Sequence, residues 1–172
     1  MKNFIGPILF ALLIAVIGHV SVLHFAPNII MDRAMTMLEV RGAELHTFFH
    51  GERTTPQSQS VVRPSPDLAY SVCLFDLEQL ESGLEVRMAA TPNYASLSFF
   101  DDQTNNFKTI RGNGEEITVT LASPDTTISD AETIVSSSLK GLILIRRLAP
   151  TAEDFRLVSA ISQNDFCRPV DR

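Results

Sequence analysis

Residues 4–31 carry no charged side chain, and Asp32-Arg33 ends the run abruptly. Residues 4–23 alone give about 20 residues, which at ~1.5 Å per helical residue cover a hydrocarbon core of about 30 Å. Two readings compete for such a stretch. A secretory signal has an apolar segment of ~7–15 residues closed by a small-x-small cleavage site. Here the run is longer, and its far end, Gly18-His19-Val20-Ser21-Val22-Leu23-His24-Phe25-Ala26-Pro27, offers no A-x-A. We therefore read residues 1–27 as an uncleaved transmembrane anchor. Pro7 falls in the first turns, where a missing N–H costs little. Lys2 and the α-amine nearly balance Arg33 and Arg41 across the span. A two-residue head is typical of a signal anchor with its N-terminus in the cytoplasm. That places the rest of the chain outside a bacterial inner membrane, in the periplasm.

The polar remainder, about 140 residues, is long enough for one compact domain with its own core. All 20 Asp and Glu lie in it, and the net charge of the chain is −6. An acidic domain repels phosphate backbones, so the expected partners are the lipid bilayer and other membrane-protein subunits, not nucleic acid. The cysteines are Cys73 and Cys167. They either pair in an oxidising compartment, closing a loop of ~95 residues, or remain two buried thiols. Neither has the CxxC spacing of a redox or zinc site.

Apolar positions Ile30, Ala34, Met37, Leu38, Leu45 and Phe48 recur at three- and four-residue steps, so a second, amphipathic helix is expected over 28–50, broken from the anchor at Pro27. Residues 51–60, GERTTPQSQS, read as a linker, closing a 28–60 segment before a β-rich domain at 61–172. Strands are expected over 68–77, 84–90, 94–101, 107–110 and 116–122, separated by turn clusters such as Thr91-Pro92-Asn93 and Gly112-Asn113-Gly114. This spacing favours an antiparallel sandwich. Residues 142–145 read as a central strand buried on both faces. Thr151 opens a helix, with Asp154 placed for a capping box and Phe155, Val158 and Ile161 as its apolar stripe. The fold class is α+β: a transmembrane helix, an antiparallel sandwich-like domain and a C-terminal helix.

The segment Arg63-Pro64-Ser65-Pro66-Asp67-Leu68-Ala69-Tyr70-Ser71, followed by Phe75-Asp76-Leu77, resembles the R-P-N-P-D-T-x-Y-S signature of the bacterial domain-of-unknown-function family 1254. Tyr94-Ala95-Ser96 with Asp101 and Thr104-Asn105 resembles that family's second block, and 141–163 resembles its closing strand and helix more loosely. Ser65 and Leu68 stand where the family usually has Asn and Thr. The resemblance implies a β-rich, membrane-associated or extracytoplasmic fold without an established reaction; longer relatives carry a second β domain.

Candidate sites follow from residue type. Arg63, Asp67 and Tyr70 offer a guanidinium, a carboxylate and a phenol for an anionic ligand or acid–base work, and Asp101 and Asn105 extend that polar pocket. The plainer reading has Asp67 capping a turn and Arg63 pairing with it. Asp101, Asp102, Thr104, Asn105 and Asn106 make an oxygen-rich loop without the spaced pattern of a Ca²⁺ loop. His46 and His50 at i, i+4 would share one helical face, but the Glu of H-E-x-x-H is missing. Ser137 and Ser138 lie in no G-x-S-x-G elbow. His19, inside the apolar run, offers an imidazole to a haem or pigment, with Ala15 four residues before it, or to a neighbouring helix. The leading expectation is a non-catalytic, membrane-anchored accessory subunit. The alternatives are a small-ligand binder or enzyme near Arg63, Asp67 and Tyr70, and a pigment- or haem-associated subunit through His19.

Overall fold

The computed structural model describes residues 4–55, 64–80, 82–126 and 132–170. Helix α1 runs unbroken over Ile5–Val40, with Pro27 inside it. The break expected at Pro27 is absent, and so is the separate helix over 28–50. An interior proline deletes one i→i−4 bond, but the long flanking segments keep theirs, and apolar membrane-type helices tolerate it. The helix stops at Arg41-Gly42. Gly42 adopts φ 98°, its N–H reaches the Glu39 carbonyl at 2.9 Å, and the Ala43 N–H reaches Leu38 at 3.0 Å. This glycine-centred double bond is the Schellman closure of a helix.

Two sheets follow. The first has the order β1-β2-β8-β4-β5, formed by Phe48–His50, Leu68–Asp76, Lys140–Leu148, Ala95–Asp101 and Asn106–Arg111, all antiparallel. The second has the order β7-β6-β3-β9, formed by Thr133–Val135, Ile117–Ala122, Leu84–Met88 and Phe166–Pro169, with only the β6–β7 pair parallel. Their facing sides share one core that includes Phe75, Phe99, Leu97, Ile143, Ile145, Val86 and Leu121. Period-two alternation explains it: each of these positions lies an even step from its strand neighbours in the core. The molecule is thus an α+β sandwich behind a long apolar helix.

Strand β8 is central, yet it is buried on one face only. Gly141, Ile143, Ile145 and Arg147 are buried while Leu142, Leu144, Arg146 and Leu148 are half-buried. The apolar run 142–145 had suggested burial on both sides; the outer face of the first sheet is instead partly open. A Cβ on Gly141 would collide with the Phe100 carbonyl and the Phe75 ring, so β4 and β8 approach closely there.

Helix α2, Ala152–Ser162, begins with the capping box: the Asp154 N–H donates to Thr151 Oγ1 at 3.1 Å and the Thr151 N–H donates to Asp154 Oδ2 at 3.2 Å. It packs against β2 and leads into β9. There Cys167 is disulfide-bonded to Cys73 of β2, with Cα atoms 6.5 Å apart and a sequence separation of 94, joining the two sheets covalently. Closing a loop of this length restricts the unfolded chain strongly. The double variant Cys73→Ala/Cys167→Ala is expected to lose about 2–4 kcal/mol of stability in urea denaturation; a loss below about 1 kcal/mol would contradict this role.

Candidate functional site

Strand alternation sends the consecutive residues Arg146 and Arg147 to opposite faces of the first sheet, and two polar clusters form around them. On the inner face, the side chains of Arg147 and Asp165 are 1% and 0% exposed. Arg147 Nη1 and Nη2 donate to the two Asp165 carboxylate oxygens, each at 2.7 Å. Its Nε donates to Thr91 Oγ1 at 2.8 Å, and Nη2 also donates to the Ala89 carbonyl at 3.2 Å. Asp165 Oδ1 accepts the Ala89 N–H at 2.9 Å. A bidentate pair with its remaining groups hydrogen-bonded is the arrangement in which a buried ion pair is tolerated. It ties β8 to the β3–β4 connection and to the residue preceding β9.

His50 of β1 adjoins this cluster, with Nδ1 2.9 Å from Ser71 Oγ on the neighbouring strand. Burial pushes its pKa below the ordinary 6.5; Asp165 opposes that shift and Arg147 adds to it. The neutral imidazole is therefore the form that the fold prefers.

On the outer face, the Arg146 guanidinium meets a hydroxyl and, among the described residues, no carboxylate. Nη2 donates to Ser98 Oγ at 3.1 Å, and Ser98 shares a 3.0 Å hydrogen bond with Thr109 of β5.

The residues singled out in the sequence do not gather into one pocket. Arg63 lies outside the described residues. Asp67 is exposed at the entry to β2; its carbonyl accepts the Ala149 N–H at 2.8 Å. The Tyr70 hydroxyl accepts the Ser65 N–H at 2.8 Å. Asp101 and Asn105 do meet each other, but at the other end of the sheet. Leu68 pairs with Leu148, whereas Asp101 pairs with Gly141, about 23 Å away along β8 at ~3.3 Å per residue. The shared pocket expected from Asp67, Tyr70, Asp101 and Asn105 is therefore corrected to two separate places.

Asp101 is buried and accepts from the Gln103 N–H, the Asn105 N–H, Asn105 Nδ2 and Ser137 Oγ at 2.8–3.2 Å. Four donors occupy this carboxylate, so it fixes the β4–β5 turn. Among the described residues no group of three His, Cys, Asp or Glu could hold a metal ion. His46 lies in a loop at φ 58°, with Nε2 2.9 Å from the Asp76 carbonyl oxygen, and His50 lies on a strand, so the helical histidine pair does not exist. His19 is exposed on α1.

A cleft of about 920 Å³ separates α1 from one end of the sandwich. Asp32, Glu39, Glu78, Asp102 and Asp125 line it together with Lys140. A hydrogen bond to Asp76 at 3.2 Å, reinforced by Glu78 at 3.6 Å, holds the Lys140 pKa above its ordinary value.

Asp165→Ala is expected to cost about 3–5 kcal/mol in urea denaturation, because it strands a buried guanidinium, whereas the double change Arg147→Met/Asp165→Leu should recover most of that loss. His50 gives a pH signature. Its lowered folded-state pKa means that the unfolded chain binds the proton more readily, so stability is complete above pH 6.5 and falls as the pH drops below it. His50→Gln should flatten that limb of the stability–pH curve.

The family described as protein of unknown function, DUF1254, matches residues 45–169. No curated protein matches the chain. The crystal structure of the VPA0106 protein from Vibrio parahaemolyticus is similar, with a TM-score of 0.59 and 12% identity, covering 85% of this chain and 38% of that one. An uncharacterized protein from Burkholderia cenocepacia is similar with a TM-score of 0.50 and 11% identity, covering 86% and 41%. At these identities the likeness concerns the fold, and the chain spans less than half the length of either structure. With the family matched from the β1 approach to the end of β9, the chain belongs to the DUF1254 family.

Proposed function

We propose that this chain is a non-catalytic accessory module of a bacterial inner membrane, its sandwich held on the periplasmic side by α1. The observation that carries this reading is the continuity of the helix. α1 has a stretch of mean hydropathy 2.4, none of it buried inside the molecule. The same helix then reaches the sandwich: Met31 is buried, Pro27, Met35 and Leu38 are half-buried, and α1 touches β8. With no linker between span and domain, the sandwich stands at a fixed distance from the bilayer surface. The loops that share the cleft with Asn28 and Asp32 are its membrane-proximal end.

The Cys73–Cys167 disulfide supports an oxidising, extracytoplasmic location. The carboxylates Asp101 and Asp165 are occupied by structural donors, which favours a module over an enzyme. An anchored domain acts on membrane neighbours by raising its local concentration near them. Protease added to spheroplasts that carry a C-terminally tagged chain tests the location: the tag should be digested without lysis, and protection until lysis would reverse the topology. Purification of the tagged chain in gentle detergent tests the accessory role: a stoichiometric membrane protein should co-purify, and recovery of the chain alone would count against it.

A further inference from the structure

The outer face of the first sheet carries unspent hydrogen-bonding capacity around an unneutralised cation. Arg146 is half-buried and forms no ion pair with any described carboxylate; its Nε is buried and donates to nothing. Its register partner on β4 is Ser96, which is 0% exposed and whose hydroxyl also lacks a partner. Ser96 is in turn paired with Arg111 of β5, an exposed edge-strand residue. On the other side, Arg146 is paired with Tyr70 of β2. One row across four strands therefore reads Tyr70, Arg146, Ser96, Arg111. With neighbouring strands ~4.8 Å apart, the two arginine-bearing strands lie about 10 Å from each other, with the serine between them. The contrast with Arg147 is informative. That residue, next in sequence, has a bidentate carboxylate and a hydrogen bond from Nε, whereas Arg146 has neither. Buried donors are almost always satisfied, and a guanidinium is shaped for two oxygens of one anion.

We propose that this row is a binding site for a small soluble dianion of the phosphate or dicarboxylate class, held by the guanidiniums of Arg146 and Arg111 and by the Ser96 hydroxyl. Ser96 is fully covered, so the anion engages the arginines, with the unpartnered hydroxyl beneath them as the further donor. Two cations call for a doubly charged ligand, and in an acidic domain they form a local exception that concentrates it. A lipid headgroup is the poorer source. The row lies about 20 Å along β8 from Lys140, which opens the strand and lines the α1 cleft.

The test is isothermal titration of the full chain in a non-ionic detergent with inorganic phosphate and with succinate, chloride serving as the monovalent control. Saturable binding of at least one dianion is expected, weakened about tenfold or more in Arg146→Met and several-fold in Arg111→Gln, and weakened again by added salt. Arg111 is exposed on an edge strand, so its variant remains informative if Arg146→Met fails to fold. Absence of saturable heat with both dianions would overturn the proposal, as would unchanged affinity in Arg111→Gln. Binding to phosphatidylglycerol vesicles without binding to either free dianion would overturn it in favour of a headgroup site.

Discussion

The Arg147 guanidinium and the Asp165 carboxylate meet through two 2.7 Å hydrogen bonds in a place that solvent does not reach. Much of the sandwich is organised by that contact. Arg147 sits near the end of the central strand of the first sheet, and Asp165 immediately precedes the edge strand of the second. Ala89 and Thr91 bring in the β3–β4 connection through its backbone and a hydroxyl. Such a pair adds little net stability over an apolar replacement, but it is costly to break by halves. Its geometry favours the placement of β9 that brings both Asp165 oxygens to the guanidinium. The disulfide at Cys167, two residues after Asp165, then fixes the same placement covalently.

The second constraint is the join between helix and domain. A rigid helix that passes from an apolar stretch into contact with β8 leaves little freedom for the sandwich to tilt. The acidic cleft lies beside α1, and the Tyr70–Arg146–Ser96–Arg111 row lies farther along the first sheet. The two faces have opposite charge character on a chain whose net charge is −6.

Much of this was legible in the chain. The uncharged run and the alternation in 116–122 define α1 and β6, and Thr151 with Asp154 marks the α2 cap, because each signal is local and repeated. The stop of α1 was also legible in Arg41-Gly42, but the helical spacing of Leu45 and Phe48 masked it and hid β1. Three-residue edge strands such as β1 and β7 are too short to show a period. The polar clusters were the least visible part. Arg147 meets Asp165, Ala89 and Thr91 only because the sheets pack, and no local pattern announces contacts so far apart in sequence. Alternation along 140–148 does predict that Arg146 and Arg147 part ways, a signal that the apolar residues beside them obscured.

The account turns on α1 staying attached and crossing the bilayer while its last turns hold the sandwich. The most direct measurement is the intact mass of the chain recovered from carbonate-washed membranes of the producing cells. The full 19.0 kDa chain, resistant to carbonate and found in the membrane fraction, is the predicted result. A shortened chain that begins beyond the apolar run and is recovered in the soluble fraction would show a removed signal and contradict the account.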